Sequence, residues 1–343
     1  MVTCSFADAE DLCYRLLVAG GLPSGPARRS AWAIVAADAM DRGSHGMLRL
    51  PYYLRRLEAG GINPLAEIVT LTDTGPVVSL DGNGGLGHFQ AFAAAELATQ
   101  RAQKFGVGAV SVSNSNHCGV LGLYVVPMLD ASMVGLAFTN GPAVMPAWGG
   151  RRPVLSTSPI AAGIPTRPRA SIVDLATTTV ARGRVAQAAS QGETIPNGWA
   201  FDSSGAPTND AEKGLFGMLA PMAGAKGFAL AFLVEALTGA MVGPALSMDV
   251  ADPLSDSSAA KRQGVSHLAV AFNPRSFDPS GRSDERLCRL AAEIEGSGGR
   301  LPGSARLSPG ELEPSTPVAI SDAVASEVRL MAHARKISLP AGW

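Results

Sequence analysis

Charge of one sign is what this chain most conspicuously lacks. Its 28 lysines and arginines nearly cancel 29 aspartates and glutamates, charged residues make up only 17% of 343, and no basic run occurs. That excludes the electrostatic footprint of a nucleic-acid or anionic-membrane binder. Cysteine is scarce too: Cys4, Cys13, Cys118 and Cys288 lie far apart without CxxC spacing, so no zinc ribbon, metal site or disulfide framework is expected. A reducing, cytoplasmic setting fits. No apolar run approaches the ~20 residues of a membrane span, and the opening MVTCSFADAEDL carries acids where a signal peptide needs basic residues. No internal repeat or low-complexity tract is present. What remains is a globular chain with enough apolar residues for a sizeable core in two or three units. Its partners should be small molecules or a second copy of itself.

The stretch that carries chemistry is Gly43-Ser44-His45-Gly46-Met47-Leu48-Arg49-Leu50-Pro51-Tyr52-Tyr53. If it is helical from about His45 to Gly60, the i, i+4 spacing stacks His45 and Arg49 on one face at the helix start. Pro51 is tolerated in a first turn, where its missing N–H has no intrahelical partner to lose. A guanidinium can hold a carboxylate bidentately while an imidazole exchanges a proton at the next carbon, which is the chemistry of a 2-oxo acid. The plainer alternative is a helix entry capped by Ser44, with His45 merely packed.

Along the chain, helices are expected from Ser5 to Gly20, from Pro26 to Ala39, over 88–105, 120–129, 179–190, 224–241 and 283–295, and over 321–336 at the end. Strands are expected within 67–81 and at 108–114, 134–138, 160–164, 171–173 and 267–272, with a long loop over 243–264. Gly82, Gly84 and Gly87 satisfy GxGxxG between a strand and a helix, but no acid ends the next strand to hold a ribose. A glycine-rich turn that begins a helix is the preferred reading. Polar loops follow other strands: Ser113 to Gly119, Asn140, Ser156-Thr157-Ser158, and Asp174 to Thr178, whose acid could hold a ribose or cap a helix. Lys226 beside a helix start and the loop Gly298 to Ser304 offer cations to an anion.

Taken together, these words resemble the malate/L-lactate dehydrogenase family of type 2, the sulfolactate-dehydrogenase-like oxidoreductases. They are Ser44-His45-Gly46 with Arg49-Leu50-Pro51, Asp81 to Gly87, Asn114 to His117, Trp148-Gly149-Gly150, Asp174 to Thr177, Lys226-Gly227 and Arg300 to Gly303, in the family's order along nearly the whole chain. The resemblance implies an α/β (α+β) fold without a Rossmann domain: an NAD(P)-binding domain on a largely antiparallel sheet flanked by helices, with a helical N- and C-terminal region. It implies a terminal region of 1–44 with 315–343, a substrate and dimerisation region of 45–110 with 296–314, and a cofactor domain of 111–295. The site would lie near the interface of a homodimer. By position, Ser44 and His45 match a relay serine and a proton-donating histidine, Arg49 a carboxylate-binding arginine, and Thr157 a substrate-contacting hydroxyl. His117 matches a residue given to proton transfer or to cofactor contact. Ser115, Asn116, Cys118, Gly119, Asn140, Asp174, Leu175, Ala176, Ala225, Lys226, Arg300, Pro302 and Gly303 match segments that bind NAD or NADP.

Three positions depart from the pattern. Arg184 stands after Gly183 where cyclic-imine reductases carry an aspartate, Ala225 replaces a large ring beside the cofactor, and Ser304 replaces a glutamate after Pro-Gly. The expected activity is hydride transfer between a nicotinamide and C2 of a small 2-oxo or 2-hydroxy acid. The alternatives are a cyclic ketimine reductase, disfavoured by Arg184, and a catalytically silent carboxylate- or nucleotide-binding protein.

Overall fold

The computed structural model describes residues 1–252, 258–340 and 342–343. Its centre is a seven-stranded sheet in the order Val69–Asp73, Val77–Asp81, Val107–Ser115, Val265–Phe272, Val134–Thr139, Ile160–Ile164 and Ser171–Leu175. Every neighbouring pair is antiparallel except Val77–Asp81 with Val107–Ser115. A parallel pair needs a crossover, and the helix Gly87–Phe105 provides it. The sheet is thus largely antiparallel and helix-flanked, as the resemblance implied. It takes strands from both sides of residue 110.

Alternation places the core. Val78, Leu80, Val110 and Val112 point under Gly87–Phe105, whose buried residues include five alanines, Ala91, Ala94, Ala95, Ala98 and Ala102. These small residues let the helix lie close on the strands, where a side chain at Gly108 would strike the Ala98 carbonyl. The helix Phe6–Ala19, capped by Ser5 accepting from the Asp8 amide at 3.1 Å, packs against Ser24–Ala39 through Leu12, Leu16 and Leu17. The strand Val2–Ser5 pairs with Pro317–Ile320, which brings the C-terminal helix Asp322–Ala334 back to the N-terminal pair. A smaller cluster, Val144, Val180, Val185, Ile195, Ala200, Ala211 and Leu219, forms a satellite core under the short strands Ala200–Phe201, Pro207–Thr208 and Met218–Leu219.

Several elements differ from expectation, each for a local reason. The helix expected from about His45 is instead two 3₁₀ turns, Gly43–His45 and Met47–Arg49, broken at Gly46, and the α-helix starts at Leu50. His45 and Arg49 therefore do not stack as an i, i+4 pair. The Asp38 carboxylate causes the break: it accepts from the Met47 amide at 2.6 Å and fills the space a Gly46 side chain would need. The helix expected over 120–129 is similarly split, with a 3₁₀ segment Leu121–Val125 before the α-helix Val126–Asp130, which carries Pro127 in its first turn. The helix expected from 179 begins at Arg182, and that expected to Met241 passes at Glu235 into the π-turn Ala236–Ala240. Asp174 lies inside a strand and so caps no helix. Part of the expected 243–264 loop, 253–257, lies outside the described residues.

Candidate functional site

Four of the five histidines converge below the 3₁₀ turns. His45 and His117 stack with ring centroids 5.7 Å apart and planes 21° from parallel. Each ring is anchored at Nδ1, His45 by the Ser44 hydroxyl at 2.9 Å and His117 by the Tyr53 hydroxyl at 2.7 Å. Neither Nε2 has a partner among the described residues, and neither is closed off from solvent as both ring nitrogens of His88 are. Arg49 is held in the same way at one end, its Nε donating to the Ser44 carbonyl at 2.8 Å. Its two terminal nitrogens have no partner among the described residues.

The electrostatics follow from this crowding. Loss of surrounding water, then the Arg49 and Arg42 charges, lower the His45 pKa to about 4. His117 is driven well below its ordinary value by burial first and then by His45, Arg49, His88 and His267. Burial takes His88 to about 3 and His267 to about 4. His267 bridges Thr139 and Ser115, both at 2.9 Å, so it locks two strands together. Burial thus favours the uncharged form of all four imidazoles, with the Arg49 and Arg42 charges acting in the same direction on His45.

The glycine-rich turn that satisfies GxGxxG supports this group from beneath, and the amides a phosphate would need are taken: those of Gly82, Gly84 and Gly85 donate to the Ser113, Asn114 and Gly82 carbonyls. Asn116 donates to the Gly84 and Gly85 carbonyls at 2.9 Å each, and a side chain at Gly87 would run into the Asn116 and His117 carbonyls. Only glycine permits that approach.

A second group forms beside the first. Asp174 lies 3.6 Å from the Arg42 guanidinium, and the two line a cavity with Gly122, Ile172, Gly303, Arg306 and Ser308. Pro302 accepts from Ser171 at 3.0 Å and Gly303 rests on the Ile172 carbonyl, so the 300–304 loop is laid along the last strand of the sheet. Arg42 ties the groups together, since its own carbonyl accepts from the His45 amide at 2.9 Å. Thr157 joins from the next strand connection, its carbonyl accepting from both the amide and the hydroxyl of Thr177.

Apart from Thr157, the expected site residues thus fall into four sets. Ser44, His45, Arg49 and His117 meet in one recess, with Cys118 buried and Gly119 lying against His88. Asp174 and Gly303 meet at the cavity, with Pro302 preceding Gly303 and Leu175 and Ala176 continuing from Asp174. Ala225, Lys226 and Arg300 are exposed and make no ion pair among the described residues. Asn116 and Asn140 are wholly engaged in structure: Asn116 also accepts from Arg56 at 3.0 Å, and Asn140 accepts from the Ser266 amide and donates to the Ala245 carbonyl. The Ser115 hydroxyl is taken by His267. Sequence reasoning missed Asp38, Arg42, Tyr53 and His88. Tyr53 had a legible signal, four residues after Arg49 on the same helix run; Asp38 and His88 had none.

The malate/L-lactate dehydrogenase family matches residues 4–319. A (2R)-3-sulfolactate dehydrogenase (NADP(+)) from Chromohalobacter salexigens is 34% identical over 332 residues, covering 96% of this chain and 98% of its own. The structure of sulfolactate dehydrogenase from Methanocaldococcus jannaschii superposes with a TM-score of 0.85 at 28% identity, covering 99% of this chain and 98% of that one. A delta1-piperideine-2-carboxylate reductase from Pseudomonas syringae gives 0.88 at 28% identity, covering 97% and 100%. With two paired histidines, a half-free arginine and these matches along its length, the chain belongs to the malate/L-lactate dehydrogenase family.

Proposed function

We propose that this protein is an NAD(P)-dependent oxidoreductase acting at C2 of a small 2-oxo or 2-hydroxy acid. One observation carries the reading: His45, His117 and Arg49 are each fixed at one end and free at the other, around one recess. Such a set is prepared to hold a ligand carboxylate and to address the oxygen on the neighbouring carbon.

The free Arg49 nitrogens take the carboxylate as a fork, which sets the distance and angle of C2. His45 gives the proton to the oxygen during reduction and takes it back during oxidation, with Ser44 holding its ring. The free protein keeps His45 neutral, and a bound carboxylate offsets the Arg49 charge that helps to do so. Substrate therefore raises the proton affinity of its own acid.

The second group fits a dinucleotide. Asp174 offers a carboxylate to a ribose diol, and Arg42 and Arg306 offer charge to phosphate around the same cavity. Lys226 and Arg300, exposed and unpaired among the described residues, suit the same anionic ligand. A bound nicotinamide would supply or accept the hydride.

The helix Arg182–Gln191 starts against Ser44, with Gly183 only wide enough to clear the Ser44 side chain. Arg184, exposed, follows Gly183 on that helix, and its charge favours an acid with a second negative group, such as malate or sulfolactate, over a cyclic imino acid.

A homodimer completes the reading. Along the helix Ala225–Glu235 and the turn that follows it, Leu230, Phe232, Leu233 and Met241 are 38%, 62%, 48% and 60% exposed, an apolar face suited to burial against a second copy. The four cysteines are free, which suits a reducing cytoplasm, and no helix among the described residues is long and apolar enough to cross a membrane.

The test is the absorbance of NADH and NADPH with oxaloacetate, sulfopyruvate, pyruvate and the five- and six-membered cyclic imino acids. Oxidation with the dianionic oxo acids is expected. Turnover only with the imino acids refutes the oxo-acid assignment, and none with any of them refutes the enzyme.

A further inference from the structure

His117 Nδ1 is approached by two donors. The Tyr53 hydroxyl lies at 2.7 Å and the Gly119 backbone amide at 3.4 Å. An amide N–H can only donate, so the nitrogen it faces must present a lone pair. Tyr53 is 1% exposed and burial pushes its pKa well above the ordinary tyrosine value, so it keeps its proton, which it donates to the lone pair that the Gly119 amide selects. A neutral imidazole with an accepting Nδ1 must carry its hydrogen on Nε2, the nitrogen left without a partner.

We propose that Tyr53, assisted by the Gly119 amide, is a positioning residue that holds His117 as the neutral Nε2–H tautomer, making His117 a fixed hydrogen-bond donor in the recess and leaving proton transfer to His45. The inference rests on the oxidoreductase reading for its purpose, but its chemistry stands in the free protein.

The surroundings act in the same direction. The groups facing His117 are His45, His88, His267, Arg49 and Tyr53, none of them an anion. With no carboxylate among these groups, none of them stabilises an imidazolium. His88 stands edge-on to the Tyr53 ring, at 5.1 Å and 88°, and neither of its nitrogens bonds the Tyr53 hydroxyl. A donor that is neutral in both halves of the reaction can bind the ligand oxygen as carbonyl or as alkoxide without being consumed.

The experiment is a long-range proton–nitrogen correlation spectrum of the free protein with ¹⁵N-labelled histidine, His117 being assigned by loss of its signals in His117→Gln. The expected result is a pyridine-like Nδ1 and a pyrrole-like Nε2, unchanged between about pH 5.5 and about pH 8, a range that brackets the ordinary histidine pKa. A pyrrole-like Nδ1, or titration of His117 within that range, overturns the proposal. In Tyr53→Phe, which keeps the ring, the Nδ1 resonance should move as its donor is lost and kcat should fall about tenfold with little change in KM. An unmoved Nδ1 resonance in a folded Tyr53→Phe overturns it as well. Because the tautomer is read without substrate, a protein inactive toward every acid with Nδ1 still accepting would refute the oxidoreductase reading and leave the assignment of Tyr53 standing.

Discussion

Replacing Asp38 by asparagine should change how stability depends on pH far more than it changes the fold. Asp38 sits on the helix Ser24–Ala39 with its carboxyl beneath Gly43 and Gly46, accepting from the Met47 amide. Burial raises its pKa to about 7, against the pull of that hydrogen bond. In the unfolded chain it ionises near 4, so between about pH 4 and 7 the folded protein holds a proton that the unfolded one has released. Folded stability therefore falls as pH rises through that window. At about 1.4 kcal/mol per pH unit, the loss reaches a ceiling of about 4 kcal/mol by pH 8. Asparagine keeps an acceptor for Met47 and cannot ionise, so Asp38→Asn should gain on the parent by up to about 4 kcal/mol between pH 4.5 and 8. The assay is urea unfolding of both proteins at intervals across that range. The comparison cancels the opposite contribution of His45, His88 and His267, whose depressed values make both proteins less stable as pH falls below about 6.5. A difference that stays flat with pH would show that Asp38 is ionised in the folded protein at all these values, and would refute the reasoning.

Three further changes test the site. His45→Ala should lower turnover by roughly 10²–10⁴ while cofactor affinity, measured by NADPH fluorescence titration, stays near the parent's; near-normal turnover removes the proton-transfer role. Arg49→Lys should raise KM for the acid sharply, because an ammonium cannot reproduce the fork, and an unchanged KM in steady-state kinetics would remove its carboxylate role. Gly87→Ala should cost about 2 kcal/mol or more in thermal or urea unfolding, because the new methyl meets the Asn116 and His117 carbonyls with only backbone to yield; parental stability would mean that the turn gives way more readily than those contacts imply.

Much of this arrangement could be read from the chain, and the boundary is physical. Period and glycine placement located the Gly87–Phe105 helix and the strands beside it, because a helix packed on a sheet must show both signals locally. The motif Ser44-His45 with Arg49 was visible as chemistry, yet its geometry was not. A 3.6-residue period was assumed across it, while the conformation is set by Asp38, whose contact to Met47 depends on tertiary packing. The glycine-rich turn shows the converse. Its spacing suggested a phosphate loop, and the missing acid in the next strand argued against one; in the structure its carbonyls are occupied by Asn116. His88 gave no cue as a site residue, because a buried ring in a helix looks the same whether it fills a core or lines a recess. Tyr53 could be placed near Arg49 by spacing, but its hold on His117 joins residues 64 apart and leaves no local trace.

Arg42 has a consequence for how the two ligands act on each other. Its carbonyl fastens the turn that carries His45, its guanidinium faces Asp174 across the adjoining cavity, and its charge is one of those that keep His45 unprotonated. The two halves of the site therefore share one counter-charge. On the proposed function, a phosphate at Arg42 would partly discharge it and make His45 a better proton carrier. An acid at Arg49 would act on the same histidine through the larger of the two charge effects. Each ligand would thus prime the proton carrier for the other, with no moving part required.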